Sequence, residues 1–143
     1  FEEADDFPGM ASYLDMMATY NPEGRIAGLG LQATSALLMF VTSANSCLDS
    51  NNNVLERECV LAAGKTITSW TGGGLHSETN PAENRPPKCG AILGVKGGKW
   101  TRIYPVLGSA DDNANGWHCD ENGSVEIVGD FGDVTAGLDP TRP

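Results

Sequence analysis

The sequence has few basic residues, few histidines and no long uninterrupted apolar run. Nine Lys and Arg residues stand singly against nineteen Asp and Glu residues, which gives a net charge of -10. A nucleic-acid surface needs clustered positive charge to neutralise phosphates, so this balance argues against DNA or RNA as a partner. The acidity is typical of a solvated surface that keeps a protein soluble.

The longest apolar stretch, 27–41, is interrupted by glycines and polar residues. A bilayer span needs about 20 largely apolar residues, so this stretch predicts a buried helix and not a membrane segment. The sequence opens at Phe1 without a Met, a charged leader or an apolar leader. We therefore expect either that a signal peptide has been removed or that the chain begins within a longer protein.

The cysteines number four, Cys47, Cys59, Cys89 and Cys119, and none stands in a C-x-x-C pair. This spacing argues against a zinc ribbon and against a thioredoxin-type redox pair. An even number of cysteines in an acidic chain rich in Gly and Asn predicts two disulfides and an oxidising compartment. Counting alone leaves three connectivities open.

Helical periodicity is confined to the first half of the chain. An amphipathic pattern predicts a helix over 7–20, with Asp6 as its cap and Pro8 in its first turn. A second helix is expected over 30–46, and it is apolar on nearly every side. Such a helix needs cover on more than one face.

A third helix is expected over 54–64, because Asn53 and Glu56 have the spacing of a capping box and a glycine stands at its end. Cys47 would then lie at the end of one helix and Cys59 one turn into the next. The short connection between these helices would bring the two thiols close together.

Strand patterns replace helical ones after residue 90. The runs 91–96 and 99–106 are rich in β-branched and aromatic residues, and the two glycines between them predict a hairpin. A weaker strand is expected over 125–128. Residues 131–143 predict a poorly ordered tail, which leaves 1–130 as the folded part.

Two short patterns suggest phosphate or calcium binding, and each lacks an essential part. The Gly-Lys-Thr run at 64–66 resembles the end of a P-loop, but Cys59 stands where the first glycine is required. The Asp and Asn residues of 111–116 open like a calcium loop, but Asn122 replaces the bidentate Glu that closes it. We therefore expect neither a nucleotide site nor an EF-hand.

The two histidines, His76 and His118, suggest a metal site together with Cys89. A zinc site needs about four ligands, however, and the chain has no second cluster to supply them. A Cys-His hydrolase would need a free thiol and an orienting group. Because no nucleophile, base and orienter can be assembled from the polar residues, the sequence predicts neither an enzyme nor a cofactor.

Four short segments occur in an order and spacing that are together typical of one family. They are LERECV at 55–60, SWTGGGL at 69–75, PPKC at 86–89 and GKW at 98–100. This part of the chain resembles the C-terminal region of Leu/Ile/Val-type periplasmic binding proteins, the type I solute-binding components of ABC importers. Upstream, 7–36 is also similar to the family, so the resemblance covers about 7–128.

The resemblance implies an α/β fold of two lobes, of which this chain would form the C-terminal portion, helices first and hairpin second. It implies capture of an amino acid, an amide or a similar small polar solute and its delivery to an ABC transporter permease. The expected location is extracytoplasmic, in the periplasm or at the cell surface, with a lipid anchor on a missing N-terminus as one arrangement. Family members are well over twice as long, so most ligand groups would lie outside this sequence.

By position, the resemblance implies ligand contacts near the start of the second helix, at Gly30, Leu31, Gln32 and Thr34. Close backbone approach favours Gly30, and the amide of Gln32 can both donate and accept hydrogen bonds. The same residues equally suit the plain start of a helix. The alternative function is a free-standing extracellular interaction domain stapled by disulfides.

Spacing and the resemblance together predict the disulfide pairing. The segment around His118 is similar to a disulfide-bearing tail in some family members. We therefore expect one disulfide between Cys47 and Cys59 and another between Cys89 and Cys119. Oxidised cysteines would leave only the histidines for a transition metal, so none is expected.

Overall fold

A computed structural model describes residues 1–83 and 87–123, in which three helices precede short antiparallel strands. The elements are α1 (Pro8–Tyr20), α2 (Gly28–Ser50), α3 (Arg57–Gly64), a 3-10 turn (Pro81–Glu83), β1 (Cys89–Gly90), β2 (Ile92–Lys96), β3 (Lys99–Tyr104) and β4 (His118–Cys119). The described part is therefore mixed α and β, with antiparallel pairing only. The strand predicted at 125–128 and the tail predicted at 131–143 lie outside the described residues.

The first helix begins with Pro8 at its first turn, as predicted. The prediction that Asp6 caps this helix is wrong, because Phe7 is the N-cap and no side chain bonds the free N–H groups there. Asp6 already belongs to a preceding turn, in which its backbone N–H bonds the Glu3 carbonyl at 3.0 Å. The chain enters α1 through consecutive turns, so backbone bonding and not a side-chain cap sets the helix start.

The second helix extends beyond the predicted range at both ends. Its hydroxyl residues fit inside the helix because they donate to carbonyls one turn back, as Thr42 does to Leu38 at 2.9 Å and Ser50 to Ser46 at 2.8 Å. The helix ends where Asn53 adopts a positive φ of 61° and its N–H bonds the Leu48 carbonyl at 2.9 Å.

This ending overturns the predicted capping box of α3. Asn53 closes α2 and does not start the next helix, and Glu56 is the N-cap with no side-chain cap bond. The helix accordingly begins at Arg57 and not at Val54. The amide of Asn51 instead donates to the Val54 carbonyl at 2.9 Å and holds the connection between the helices.

Both predicted disulfides are confirmed. Cys47 and Cys59 join α2 to α3 with their Cα atoms 5.5 Å apart, and Cys47 has no exposed surface. Cys89 and Cys119 stand opposite each other in the β1–β4 ladder and are bonded across it. The second disulfide therefore ties the start of the strand region to its end.

The predicted hairpin is present as β2 and β3. Lys96 pairs with Lys99, so the loop has two residues, and its glycines have φ values of 58° and 77°. Two consecutive positive φ angles are what a tight two-residue hairpin requires, which explains the Gly-Gly pair. The register shifts near Ile92, where Ile103 is the additional residue of the opposite strand.

The segment before α1 is fastened to the hairpin by an ion pair. The Arg102 guanidinium donates to both carboxylate oxygens of Glu3, with Nη2–Oε2 at 2.6 Å, and its Nη1 donates to the Gly116 carbonyl at 2.6 Å. The guanidinium carbon also lies 5.6 Å from the centre of the Phe7 ring. One side chain therefore joins three separate parts of the chain.

The buried apolar core of the described residues is small: Tyr13, Ala44, Cys47, Leu75 and Pro105. The apolar helix α2 keeps Leu37, Phe40 and Val41 at 61%, 53% and 43% exposed. None of the described helices is long and apolar enough to cross a membrane. The cover that the sequence predicts for α2 is thus not supplied by the described part of the chain.

A steric test of the α1–α2 contact uses Gly30. A methyl group there would overlap the Tyr13 hydroxyl, which is buried and has no hydrogen-bond partner among the described residues. We expect Gly30→Ala to lower the free energy of unfolding by about 1–3 kcal/mol. Tyr13→Phe should change it by less than about 1 kcal/mol, because no hydrogen bond is lost.

In the double variant the Tyr13 hydroxyl is gone, and the ring Cζ of residue 13, 3.5 Å from the added methyl group, is the nearest atom. The cost of Gly30→Ala should therefore disappear. Gly28→Ala is the matched control, since nothing lies within 4 Å of a methyl group at that position. Urea denaturation of all four variants measures the effect. An equal cost of Gly30→Ala with and without the Tyr13 hydroxyl would contradict this packing.

The disulfides should carry much of the stability. Replacing Cys89 and Cys119 by alanine opens a loop with a sequence separation of 30 and should cost roughly 4 kcal/mol, against about 3 kcal/mol for the pair separated by 12. Chemical denaturation under non-reducing conditions tests this order. A loss below about 1 kcal/mol for both pairs would show that they do not stabilise the fold.

Candidate functional site

A polar cleft lies between α2 and the loop that follows Trp70. It encloses about 390 Å³ and opens widely to solvent. The described residues that line it are uncharged apart from the titratable ring of His76: Gln32, Ser35, Ala36, Met39, Trp70, His76, Ser77, Thr79, Asn80, Pro81 and Pro87. The wall offers amide, hydroxyl and imidazole groups beside apolar surface, a combination typical of small-molecule sites.

Ser35 is the centre of a hydrogen-bonded cluster in this wall. Trp70 Nε1–H donates to Ser35 Oγ at 3.0 Å, and Ser35 Oγ lies 2.8 Å from His76 Nε2. The other ring nitrogen, His76 Nδ1, lies 2.7 Å from the Ser77 carbonyl oxygen. A carbonyl can only accept, so His76 Nδ1 carries a proton. In the neutral form of the ring, Nε2 then accepts a hydrogen bond from the Ser35 hydroxyl.

The loop reaches Ser35 because of its glycines. Gly72, Gly73 and Gly74 all have positive φ, at 64°, 75° and 91°. A methyl group on Gly72 would come within 2.5 Å of Ser35 Oγ, so only glycine permits this approach. The loop is closed at its base by Trp70 and Thr79, whose backbone N–H and carbonyl groups exchange two bonds of 2.9 Å.

The four predicted ligand residues do not share one cavity. Gln32 lines the polar cleft, whereas Leu31 lines a different cavity. Thr34 donates to the Gly30 carbonyl at 2.9 Å, and Gly30 faces the Tyr13 ring. Successive residues of a helix point about 100° apart, which is why Leu31 and Gln32 face different cavities. Of the four, Gln32 is the residue that the structure places beside polar partners.

The second cavity is apolar and encloses about 320 Å³ between the N-terminal segment, α2 and the hairpin. Its aromatic lining consists of Phe1, Phe7, Trp100 and Trp117. The Glu3–Arg102 ion pair stands in its wall with both charges paired. Trp70, in contrast, lines the polar cleft, so the three tryptophans do not line one pocket.

The calcium-like loop uses its side chains internally. Asp112 accepts backbone N–H groups from Gly108 and Gly116, and the amide of Asn113 bonds both the N–H and the carbonyl of Cys119, at 2.8 and 3.0 Å. These bonds fold the loop and turn its oxygens toward backbone donors. Within 1–83 and 87–123, no three His, Cys, Asp or Glu side chains are grouped to hold a metal ion.

The suggested His–His–Cys metal set is likewise not assembled. His76 belongs to the Ser35 cluster, and Cys89 is in a disulfide. His118 Nδ1 bonds the Asp111 carbonyl at 2.8 Å, and its ring packs on Tyr104 with centroids 5.1 Å apart. The Gly-Lys-Thr run lies at the C-terminal end of α3, where the helix dipole disfavours phosphate.

The Ser35–His76 pair was missed by reasoning from the sequence. The two residues are 41 positions apart, and no motif spacing links them. The only local signal was the Gly-Gly-Gly run, which indicates a backbone that approaches something closely. What it approaches becomes visible only in the folded chain.

Comparisons with known proteins supply no further assignment. A scan against protein-family models found no match, and searches of curated proteins and of solved structures also found none. The likeness to Leu/Ile/Val-type binding proteins therefore depends on the short motifs named above, and the function stands as a proposal.

The loop before β4 should be sensitive to acid. Backbone N–H groups of Gly108 and Gly116 hold the pKa of Asp112 below its ordinary value of 3.8. A depressed carboxyl pKa means that the stabilisation is present above the ordinary pKa and is lost as the pH falls through the folded value. We expect Asp112→Asn to lower the melting temperature near neutral pH.

The difference between the two proteins should shrink as the pH falls from neutral through the lowered pKa of Asp112, because the native carboxyl then becomes protonated as well. Thermal unfolding followed by circular dichroism across this range is the measurement. Asp15→Asn, at an exposed position on α1, is the control. A pH-independent difference would show that the ionised carboxylate is not what stabilises the loop.

Proposed function

We propose that this chain is part of an extracytoplasmic solute-binding protein of the Leu/Ile/Val type, which captures an amino acid or similar small polar solute for ABC-type import. The observation that carries the proposal is the position of Gln32. It comes from the stretch where the resemblance implies ligand contacts, and it lies in a polar cleft with one open side. In the proposed family, a second lobe would close such a cleft by hinge motion.

The chemistry of the cleft favours an uncharged or zwitterionic solute over an ion. The carboxamides of Gln32 and Asn80 provide both donors and acceptors, and Trp70 adds apolar surface. No carboxylate or cationic side chain stands among the described residues that line it. A strongly charged solute would find no partner of opposite sign on this wall.

The exposed face of α2 supports the same proposal. Leu37, Phe40 and Val41 lie in the interior of a 23-residue helix and are each more than 40% exposed. Apolar surface on a helix of this kind is normally covered by a sheet or by other helices. In a two-lobed binding protein, the β-sheet of the same lobe would supply that cover.

The disulfides agree with the proposed location. Two of them are present, and they are compatible with an extracellular or otherwise oxidising environment. The same fact favours the second candidate, a free-standing extracellular interaction domain, because both bonds close within the described chain. Binding by the chain alone separates the two proposals.

We expect the 143-residue chain by itself to show no micromolar affinity for any of the common amino acids. A hinge-closing receptor gains affinity from contacts that both lobes make in the closed state, and one wall supplies only a part of them. The exposed α2 face should also cause self-association. Titration calorimetry with an amino-acid panel, together with light scattering, measures both properties.

A protein that contains both proposed lobes should bind one solute of the panel. There, Gln32→Ala should weaken binding about tenfold, which is the loss of roughly one hydrogen bond. Asn45→Ala is the matched control, because Asn45 is an exposed carboxamide on the same helix that does not line the cleft. Micromolar binding by a monomeric 143-residue chain would favour the free-standing domain instead.

A further inference from the structure

The Ser35 cluster has the arrangement of a nucleophile, a base and an orienting group. The hydroxyl lies 2.8 Å from the imidazole Nε2, and the opposite ring nitrogen is held at 2.7 Å by the Ser77 carbonyl. In serine hydrolases the third group fixes the tautomer and ring orientation of the base, and a carbonyl acceptor does this here. The serine is therefore joined to a ring nitrogen that is free to take its proton.

Ser35 differs from other hydroxyl residues of the same helix. Ser43 is also buried, but its hydroxyl donates to the Met39 carbonyl within the helix at 2.9 Å. Ser35 is 6% exposed and turns its hydroxyl out of the helix toward His76, on the wall of the open cleft. Because Trp70 occupies one lone pair of Oγ, the second is available to an electrophile in the cleft.

We propose that Ser35 and His76 form a catalytic dyad that hydrolyses small neutral esters, an activity separate from solute binding. The substrate class follows from the wall. The lining groups are uncharged, and Met39 and Trp70 provide apolar contact for a short acyl chain. Gln32 and Asn80 line the same cleft, and their carboxamides carry N–H groups that can donate to the oxygen of the acyl group.

The reaction needs no cofactor. Ser35 Oγ attacks the acyl carbon while its proton passes to His76 Nε2, and a tetrahedral oxyanion forms. The bond to the leaving alcohol then breaks, and the alcohol departs with the proton from Nε2. A water molecule attacks the acyl-serine, gives its proton to Nε2, and the carboxylic acid leaves as Ser35 regains its hydrogen.

A covalent probe tests this directly on the full chain. A biotinylated fluorophosphonate forms a bond from phosphorus to the serine oxygen and expels fluoride, and peptide mass spectrometry locates the adduct. We expect the adduct on Ser35. We also expect p-nitrophenyl acetate hydrolysis that is lost in Ser35→Ala and slowed about 100-fold in His76→Gln, the usual contribution of a general base.

Ser43→Ala is the matched control and should label and hydrolyse like the native chain, because that serine has no histidine beside it. Circular dichroism checks that each variant is folded. If Ser35→Ala does not fold, the position of the adduct on the native chain is sufficient to test the proposal. A folded native chain without an adduct on Ser35 overturns the proposal. Labelling of folded His76→Gln at the rate of the native chain also overturns it, because the hydrogen-bonded cluster would then have only a structural role.

Discussion

The hydrogen bonds that converge on Ser35 are the interaction on which the rest of the cleft depends. They fasten a loop with three consecutive positive φ angles to a long helix, and that loop has no regular ladder beyond its single bridge at Trp70 and Thr79. Each polar group of the cluster has a partner, so burying the hydroxyl carries no desolvation penalty that is left uncompensated. Without these hydrogen bonds, the loop that forms one side of the cleft would not be attached to α2 through Ser35.

The other cross-links compensate for a core that is small. Few apolar side chains of the described residues are buried, namely Tyr13, Ala44, Cys47, Leu75 and Pro105, which is little hydrophobic stabilisation for a chain of this length. Two disulfides and the Glu3–Arg102 ion pair add links between separate elements: α2 to α3, β1 to β4, and the N-terminal segment to the hairpin.

Several elements follow from local rules and were predictable for that reason. Pro8 starts α1, and the Gly-Gly pair gives the hairpin its two-residue turn, because both depend only on the φ angles that these residues allow. The capping predictions failed where two rules competed. Asn53 was expected to open α3, but a residue that tolerates positive φ serves equally well to close α2, and the backbone bond to Leu48 decided between them.

The sequence by itself determined the order of helices and hairpin, the even set of oxidisable cysteines and a charge that disfavours nucleic acid. The tertiary structure alone decided that Gln32 and Leu31 face different cavities and that Ser35 meets His76. The physical reason is distance along the chain. Turn chemistry and helical periodicity act over a few residues, whereas the partner of a side chain across 41 positions is set by how the loop and the helix pack.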